Sequence, residues 1–369
     1  MNVPPRPKSI DGVETSVAAF VGPTARGPAD RASTLLTSLS DFERDYGGEA
    51  DLTFDRKTWA PNYMWHAARA FFGNGGQRLH VVRAGRIAHA APTAADYMKA
   101  LHHLESVPDI SIVAAPGASE PDEIAALIAH VERMRYRFAV IDSGPGQSSS
   151  EVGELRQRFN SPNAALYYPW LCATDSGSGS RLQLPPSGFM AGIYARVDAA
   201  QGVHHSPANQ PISLATGLQS DVPLATQDIL SAEGVNCLRA LPHRGVVAWS
   251  ARTLSADPEW KYINVRRLLI FIEASIDRGL HWAVFESNGE PLWAAVTSVV
   301  EDFLTRQWRQ GALQGTTARE AFVVRCDRTT MTQDDIDNGR LVCQVGVAPL
   351  RPAEFVVFRI GQWTAHRKP

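Results

Sequence analysis

The sequence predicts an α/β protein: a first part on a largely parallel sheet, then a smaller α+β part with extended terminal arms. Three patterns carry that reading. Beyond residue 78, strand-length apolar runs alternate with helix-length amphipathic stretches, the arrangement that builds a parallel sheet. The runs at 109–115, 136–141 and 164–172 are apolar on both alternating faces, as expected of strands covered by helices on each side. Past residue 245 the pattern changes to two long helices and an antiparallel strand pair.

Residues 1–14 are rich in proline and charge and show no period, so they read as an extended arm. An apolar strand over 15–21 ends at Gly22-Pro23. Ser40 is placed to cap a helix over 41–46 that stops at Gly47-Gly48. A helix over 58–72 gathers Trp59, Met64, Ala67, Ala68, Phe71 and Phe72 on one face and ends in Gly73-Asn74-Gly75-Gly76. A strand over 78–83 follows. Next come a helix over 96–104, a strand over 109–115 and a helix over 121–135, which has proline and acids in its first turn and arginines in its last. Strand 136–141, helix 151–159, strand 164–172, a Gly/Ser loop at 175–180 and helix 187–198 continue the alternation. Scattered prolines make 201–243 read as irregular.

In the last third, strand 246–252 precedes a helix over 264–278 closed by Gly279, a strand over 281–285 and the turn Asn288-Gly289. A helix over 291–313 aligns Leu292, Val296, Val299, Val300, Phe303 and Leu304. Segments 320–326 and 340–347 pair antiparallel through a capped turn over 332–339. The expected division is an arm over 1–14, an α/β domain over 15–245, a C-terminal domain over 246–352 and an arm strand within 353–369.

Of the 369 residues, 44% are hydrophobic and 20% charged, enough for a large core. The net charge of −2 supplies no field to gather nucleic acid or anionic membrane. No apolar run approaches the ~20 residues of a bilayer span, so direct membrane insertion is not expected. The opening Met1-Asn2-Val3-Pro4-Pro5 lacks the apolar stretch of a secretory signal, which implies synthesis and folding in a cytoplasm.

Known chemical signatures do not occur. There is no GxxxxGK[ST], GxGxxG, HExxH or GxSxG. Gly73-Asn74-Gly75-Gly76 precedes a strand instead of following one, the wrong context for a dinucleotide turn. Asp334-Asp335-Ile336-Asp337-Asn338-Gly339 lacks the glycine position and the glutamate of a calcium loop. His102-His103 and His204-His205 are adjacent pairs that point apart and do not chelate. Cys172, Cys237, Cys326 and Cys343 have no CxxC spacing, and buried reduced thiols are the expectation, though Cys326 and Cys343 can face each other across a hairpin. No catalytic residue, cofactor or metal is expected. Arg266, Arg267, Arg306 and Arg309 read as solvated helix faces, with a basic partner-facing patch as the alternative.

The closing run Glu354, Phe355, Val356, Val357, Phe358, Arg359 and Ile360 is apolar on both faces. Such a strand must join a sheet, either its own or a neighbouring copy's. Pro349 and Pro352 stiffen the link before it and oppose a tight return onto 340–347.

Segments along the chain resemble the contractile tail sheath family. They are GVETSVAAFVG at 12–22, FFGNGGQR at 71–78 with VVR at 81–83, PSGFMAGIYAR at 186–196, GVN at 234–236, WSARTL at 249–254, YINVRR at 262–267 and PAEFVV at 352–357. They keep the family's order over nearly the whole chain, and are most like the short sheaths of extracellular contractile injection systems and similar phage tails. The resemblance implies a structural subunit, not an enzyme, that stacks with itself as hexameric rings in a helical polymer around an inner tube protein. Baseplate and terminal cap proteins would bound the stack. Contraction would drive the tube through a target envelope, after assembly in a cytoplasm and as part of a phage tail or a released particle. The resemblance also implies a subtilisin-like fold for the α/β domain without protease activity. It makes Glu354 to Ile360 an inter-subunit arm and puts the tube-facing surface in the C-terminal domain, with Arg306 and Arg309 as candidates. Family members usually open with an extra strand before the segment matching 7–15; its absence suggests a short N-terminal arm or a truncated chain. The alternatives are a non-sheath binding component of a tail-like particle and an α/β hydrolase with an unrecognised site.

Overall fold

The computed structural model describes residues 8–29, 31, 35–55, 58–85, 90–174 and 179–352. The closing strand expected at Glu354 to Ile360 lies outside the described residues, as do the first seven residues of the expected N-terminal arm.

The chain opens with β1 (Ala18–Gly22), α1 (Leu39–Tyr46), β2 (Leu52–Phe54), β3 (Thr58–Ala60), α2 (Tyr63–Gly73) and β4 (Leu79–Arg83). It continues as α3 (Ala94–His103), β5 (Ile112–Ala114), α4 (Pro121–Met134), β6 (Phe138–Asp142), α5 (Ser149–Gln157), β7 (Ala164–Tyr168), β8 (Leu171–Thr174) and β9 (Arg181–Leu184). Then follow α6 (Ser187–Gln201), β10 (Gln210–Pro211), β11 (Gly217–Leu218), α7 (Leu224–Glu233), β12 (Val235–Leu241) and β13 (Gly245–Ala248). The C-terminal part holds α8 (Ile263–Gly279), α9 (Glu290–Arg309), α10 (Ala318–Ala321), β14 (Phe322–Arg325), α11 (Gln333–Asp337) and β15 (Gln344–Val347).

Among the described residues one large sheet runs β10-β13-β12-β7-β6-β5-β1-β4. It is parallel from β12 to β4, with antiparallel pairing only at the β10-β13-β12 edge. The period-2 alternation of strand side chains divides its two faces. Phe20, Phe138 and Val140 enter a core with α2 and α6, whereas Val21, Ala139 and Ile141 enter a second core with α3, α4 and α5. The predicted covering of both faces is what the structure has. A third core joins α8, α9, β14 and the N-terminal residue Ile10.

Several expected elements differ. Residues 58–60 pair with β2 as a hairpin, and the helix begins only at Tyr63, capped by Asn62; Trp59 is therefore 65% exposed instead of on the buried face. Ser38, not Ser40, caps α1 through a bond from the Asp41 amide. The stretch 164–172 is two strands, because Pro169 has no N–H to offer a ladder. The supposedly irregular 201–243 contains α7 and β12, separated by Gly234 at φ 92°. Residues 281–283 are a 3₁₀ turn, not a strand. The strand expected to open the C-terminal domain is β13, which pairs with β12 over Leu238↔Ala248 to Leu241↔Gly245, so it completes the large sheet and a division at residue 245 would cut that ladder.

Helices α2 and α6 approach closely because of two glycines. A Cβ on Gly188 would sit 2.6 Å from the Ala67 Cα, and one on Gly192 would sit 2.5 Å from the Phe71 carbonyl oxygen. Backbone cannot yield as a side chain end can, so Gly192→Ala should cost about 1–3 kcal/mol. Thermal unfolding would register this as a drop in Tm of several degrees; an unchanged Tm would refute the close-packing argument.

Candidate assembly surface

A buried charge joins α8 to α6 beside the large sheet. Helix α8 faces two cores: Ile263 and Ile270 pack with the sheet, Leu268 and Ile272 with α9. Arg267 lies between them. Its Nη1 donates to Asp198 Oδ1 at 2.9 Å, and its Nη2 donates to Asp198 Oδ2 at 2.7 Å and to the Thr15 carbonyl at 2.8 Å. The two side chains are 5% and 3% exposed. The guanidinium also lies 4.8 Å from the ring centre of Tyr194, whose hydroxyl bonds that of Tyr167 at 2.7 Å. Burial pushes the Asp198 carboxyl above its ordinary range, and the guanidinium offsets part of that. Arg267 is thus neither a solvated residue nor part of a partner-facing patch: an α8 facing two cores turns it inward. Arg266 is occupied by Asn163 and Glu273.

Residues 8–15 run along α8 and α9 as a strap. Ile10 is fully buried, and the Val13 amide donates to Ser275 Oγ at 3.1 Å. Lys8 sits 3.6 Å from the Trp282 ring centre. Arg306 and Arg309 are both exposed, three residues apart on α9. Arg306 donates one bond, Nη2 to the Ile10 carbonyl at 2.6 Å, so part of its capacity holds the strap.

The short sheet β14-β15 pairs Phe322↔Val347 to Arg325↔Gln344. Its inward rows are Phe322, Val324 and Cys326 on one strand and Leu341, Cys343, Val345 and Val347 along the other. The β15 row lines a groove of about 950 Å³ shared with Ile272 and Ile276 of α8, Leu280 just past its end, and Leu292 and Val296 of α9. The groove is half-covered: Val345 is 36% exposed, and Phe285 at its edge is wholly exposed. Among the described residues neither β14 nor β15 has a second strand beside it. An apolar row with a free ladder edge is a template for another strand.

After β15 the chain turns away. The Ala348 amide donates to the Ala321 carbonyl, the Gln314 amide to the Ala348 carbonyl, and Asn264 Nδ2 to the Leu350 carbonyl at 3.4 Å. Asn264 lies in the first turn of α8, whereas the groove runs beside α8 from Leu269 onward; at 1.5 Å per residue Asn264 is about 7.5 Å from Leu269 and about 18 Å from Ile276.

One constellation has the look of chemistry. Asp142 Oδ2 accepts from Ser187 Oγ at 2.7 Å and from the Gly117 amide at 3.1 Å, while its Oδ1 accepts from the Ser187 amide at 2.7 Å. Burial pushes its carboxyl up to about 7. Both side chains are sealed from solvent, and neither is bonded to a histidine. The pair ties the end of β6 to the start of α6 and exposes no nucleophile. Among the described residues no group of three or more His, Cys, Asp or Glu could hold a metal, and no helix is long and apolar enough to cross a membrane.

Among the described residues the two notable features are thus a sealed carboxylate joint and an open small sheet beside an apolar groove. The family model for the phage tail sheath protein central domain matches residues 90–254, and that for the phage tail sheath C-terminal domain matches 255–362. The chain belongs to the contractile tail sheath family. A putative prophage major tail sheath protein of Pseudomonas aeruginosa (strain UCBPP-PA14) is 24% identical over 68% of this chain and 65% of its own. The tail sheath protein of Escherichia phage P2 is 24% identical over 71% and 66%. These alignments span just under two thirds of the relatives' lengths. Solved structures match more fully. The helical sheath of the anti-feeding prophage (AFP) in the contracted state is 29% identical over 98% of both chains, with a TM-score of 0.79. The PVC sheath complex of an extracellular contractile injection system, also contracted, is 27% identical over 97% of this chain and 95% of that one, with a TM-score of 0.80.

Removing Arg267 strands the Asp198 charge. Arg267→Met should cost about 3–5 kcal/mol, and adding Asp198→Leu should recover more than half of that. Urea unfolding of the two variants checks this; a double variant no more stable than the single one would rule out the stranded charge as the cause.

Proposed function

We propose that this chain is the repeating subunit of a contractile sheath, stacked as six-fold rings around an inner tube that it drives through a target envelope by contracting. The observation that carries this reading is the end-to-end likeness, at 29% identity, to the contracted AFP sheath. Likeness over 98% of each chain extends to the outlying parts a sheath needs, beyond its core. A chain in the 6-fold symmetrised AFP baseplate, 28% identical with a TM-score of 0.78, supports the ring symmetry and a place for baseplate contacts. The sequence has no phosphate-cradling loop, so the energy for contraction is stored at assembly and released as interfaces rearrange between rigid subunits. The buried Arg267–Asp198 pair supports such rigidity.

The closing strand Glu354 to Ile360 is donated to the β14-β15 sheet of a neighbouring copy. The fastening of Leu350 to the first turn of α8, short of the groove's first α8 residue Leu269, supports donation over return. Main-chain bonds to the free edge supply affinity, and the groove selects the register. Arg306 and Arg309 face the tube and offer charge to an acidic surface there. The particle assembles in a cytoplasm and is then a phage tail or a released injection device.

Electron microscopy of the chain co-expressed with its tube protein should show rings or striated tubes; a full chain that never polymerises in that setting would sink the sheath reading. Deleting residues 354–369 should abolish polymers while leaving a soluble, folded protein. Arg309→Ala, which leaves the Arg306 bond to the strap in place, should weaken co-assembly with the tube without lowering Tm by more than a degree or two, whereas Arg306→Ala should weaken co-assembly and lower Tm as well; unchanged co-assembly in both would remove those residues from the tube surface.

A further inference from the structure

Beyond assembly, the small sheet contains a chemical feature. Cys326 and Cys343 stand one step past the last pair of the β14-β15 ladder, Arg325↔Gln344, so the antiparallel register places them opposite each other. Both are free thiols. Directly opposed residues in an antiparallel pair lie about 4.5–5.5 Å apart at Cα, inside the roughly 4.4–6.8 Å that a disulfide bridges. The two sites differ in access. Cys343 lines the open groove, whereas Cys326 is buried beneath it. Cys172 and Cys237 are wholly buried and belong to the cores around the large sheet.

We propose that Cys326 and Cys343 form a modification site at which a low-molecular-weight disulfide converts the thiol pair into an intrachain disulfide stapling β14 to β15. The Cys343 thiolate attacks one sulfur of the reagent, forming a mixed disulfide and expelling one small thiolate. The Cys326 thiolate then attacks Sγ of Cys343, forming the intrachain bond and expelling the second. The two protein thiol protons leave with the two small thiols, so one reagent disulfide is reduced as the protein pair is oxidised. Burial pushes Cys326 up to about 12 and raises Cys343 as well, which makes the exchange slow. Reducing cytoplasm keeps the pair as thiols, and oxidising surroundings outside the cell favour the bond. The bond closes the connection 327–342 into a ring and removes freedom from the edge strand in the unfolded chain. The chemistry does not depend on the sheath reading, and its test needs no polymer.

The test incubates the full-length protein with oxidised glutathione for hours, followed by thiol titration in denaturant and peptide mapping. Two of the four cysteines should disappear into a Cys326–Cys343 link, and Tm should rise by a few degrees in a manner that dithiothreitol reverses. Cys326→Ser should stop at a glutathione adduct on Cys343, and Cys343→Ser should keep its remaining thiols free. Four free thiols, an unresolved adduct in the unaltered protein, or links between chains would each overturn the proposal.

Discussion

The structure depends on one buried charge being paired. Arg267 and Asp198 come from different domains and lie almost wholly out of solvent. A carboxylate stranded in such a place is costly, and its guanidinium partner must meet it in a narrow geometry. Both oxygens of Asp198 are met by separate nitrogens of Arg267, which fixes direction as well as distance. The same guanidinium reaches the Thr15 carbonyl, just before β1 enters the large sheet. Three segments far apart in sequence thus converge on one cation. The strap of residues 8–15 continues the connection by burying Ile10 against α8 and by the bond from Arg306. Hydrophobic contact alone would let α8 slide along the sheet, since apolar burial is non-directional.

That fastening concentrates the unsatisfied surface elsewhere. With α8 held against the large sheet, the unfinished features among the described residues are the open edges of β14-β15 and the groove beside β15. A strand four residues long gives few ladder bonds, so an added strand gains specificity mainly from the pockets beneath it. The apolar row from Leu341 to Val347 supplies those pockets along α8. The thiol pair lies at the far end of the same row, where a covalent bond would stiffen the edge without altering its outer ladder.

Much of this was legible in the sequence, and the failures have physical causes. The parallel sheet could be read because strands buried on both faces are apolar at successive positions, as Ala18–Gly22 and the first four residues of β6, Phe138 to Ile141, are. Helix α7 was missed because Leu224 and Ile229 are exposed, leaving no apolar stripe to recognise, and because Pro223 precedes it as it would precede a loop. Strand β12 was missed partly through Asn236, a buried residue whose amide is used up by the Leu166 and Arg252 backbone. The hairpin at 52–60 looked like the start of a helix because Trp59 fell in phase with the real apolar face of α2. The domain joint was not legible at all. An arginine beside another arginine on a helix is the usual mark of a solvated face, and nothing local ties Arg267 to a carboxylate on α6.

The remaining question is why no strand among the described residues closes the apolar edge. A soluble protein with an open, half-covered strand edge is at risk of indiscriminate pairing. The simplest remedy is a short hairpin from β15 back along its own edge. Here Ala348 and Pro349 are fastened to Gln314 and Leu313, and Leu350 to the first turn of α8, so the backbone is led away from the groove before a return could begin. Pro349 and Pro352 lack the N–H groups that such a return would need. Three separate fastenings within three residues make an accidental departure improbable on energetic grounds, since each orders backbone that would otherwise be free. On the strand donation proposed above, the edge and the departing segment would be satisfied by different copies, and a hazard of the monomer would become the means of joining one subunit to the next.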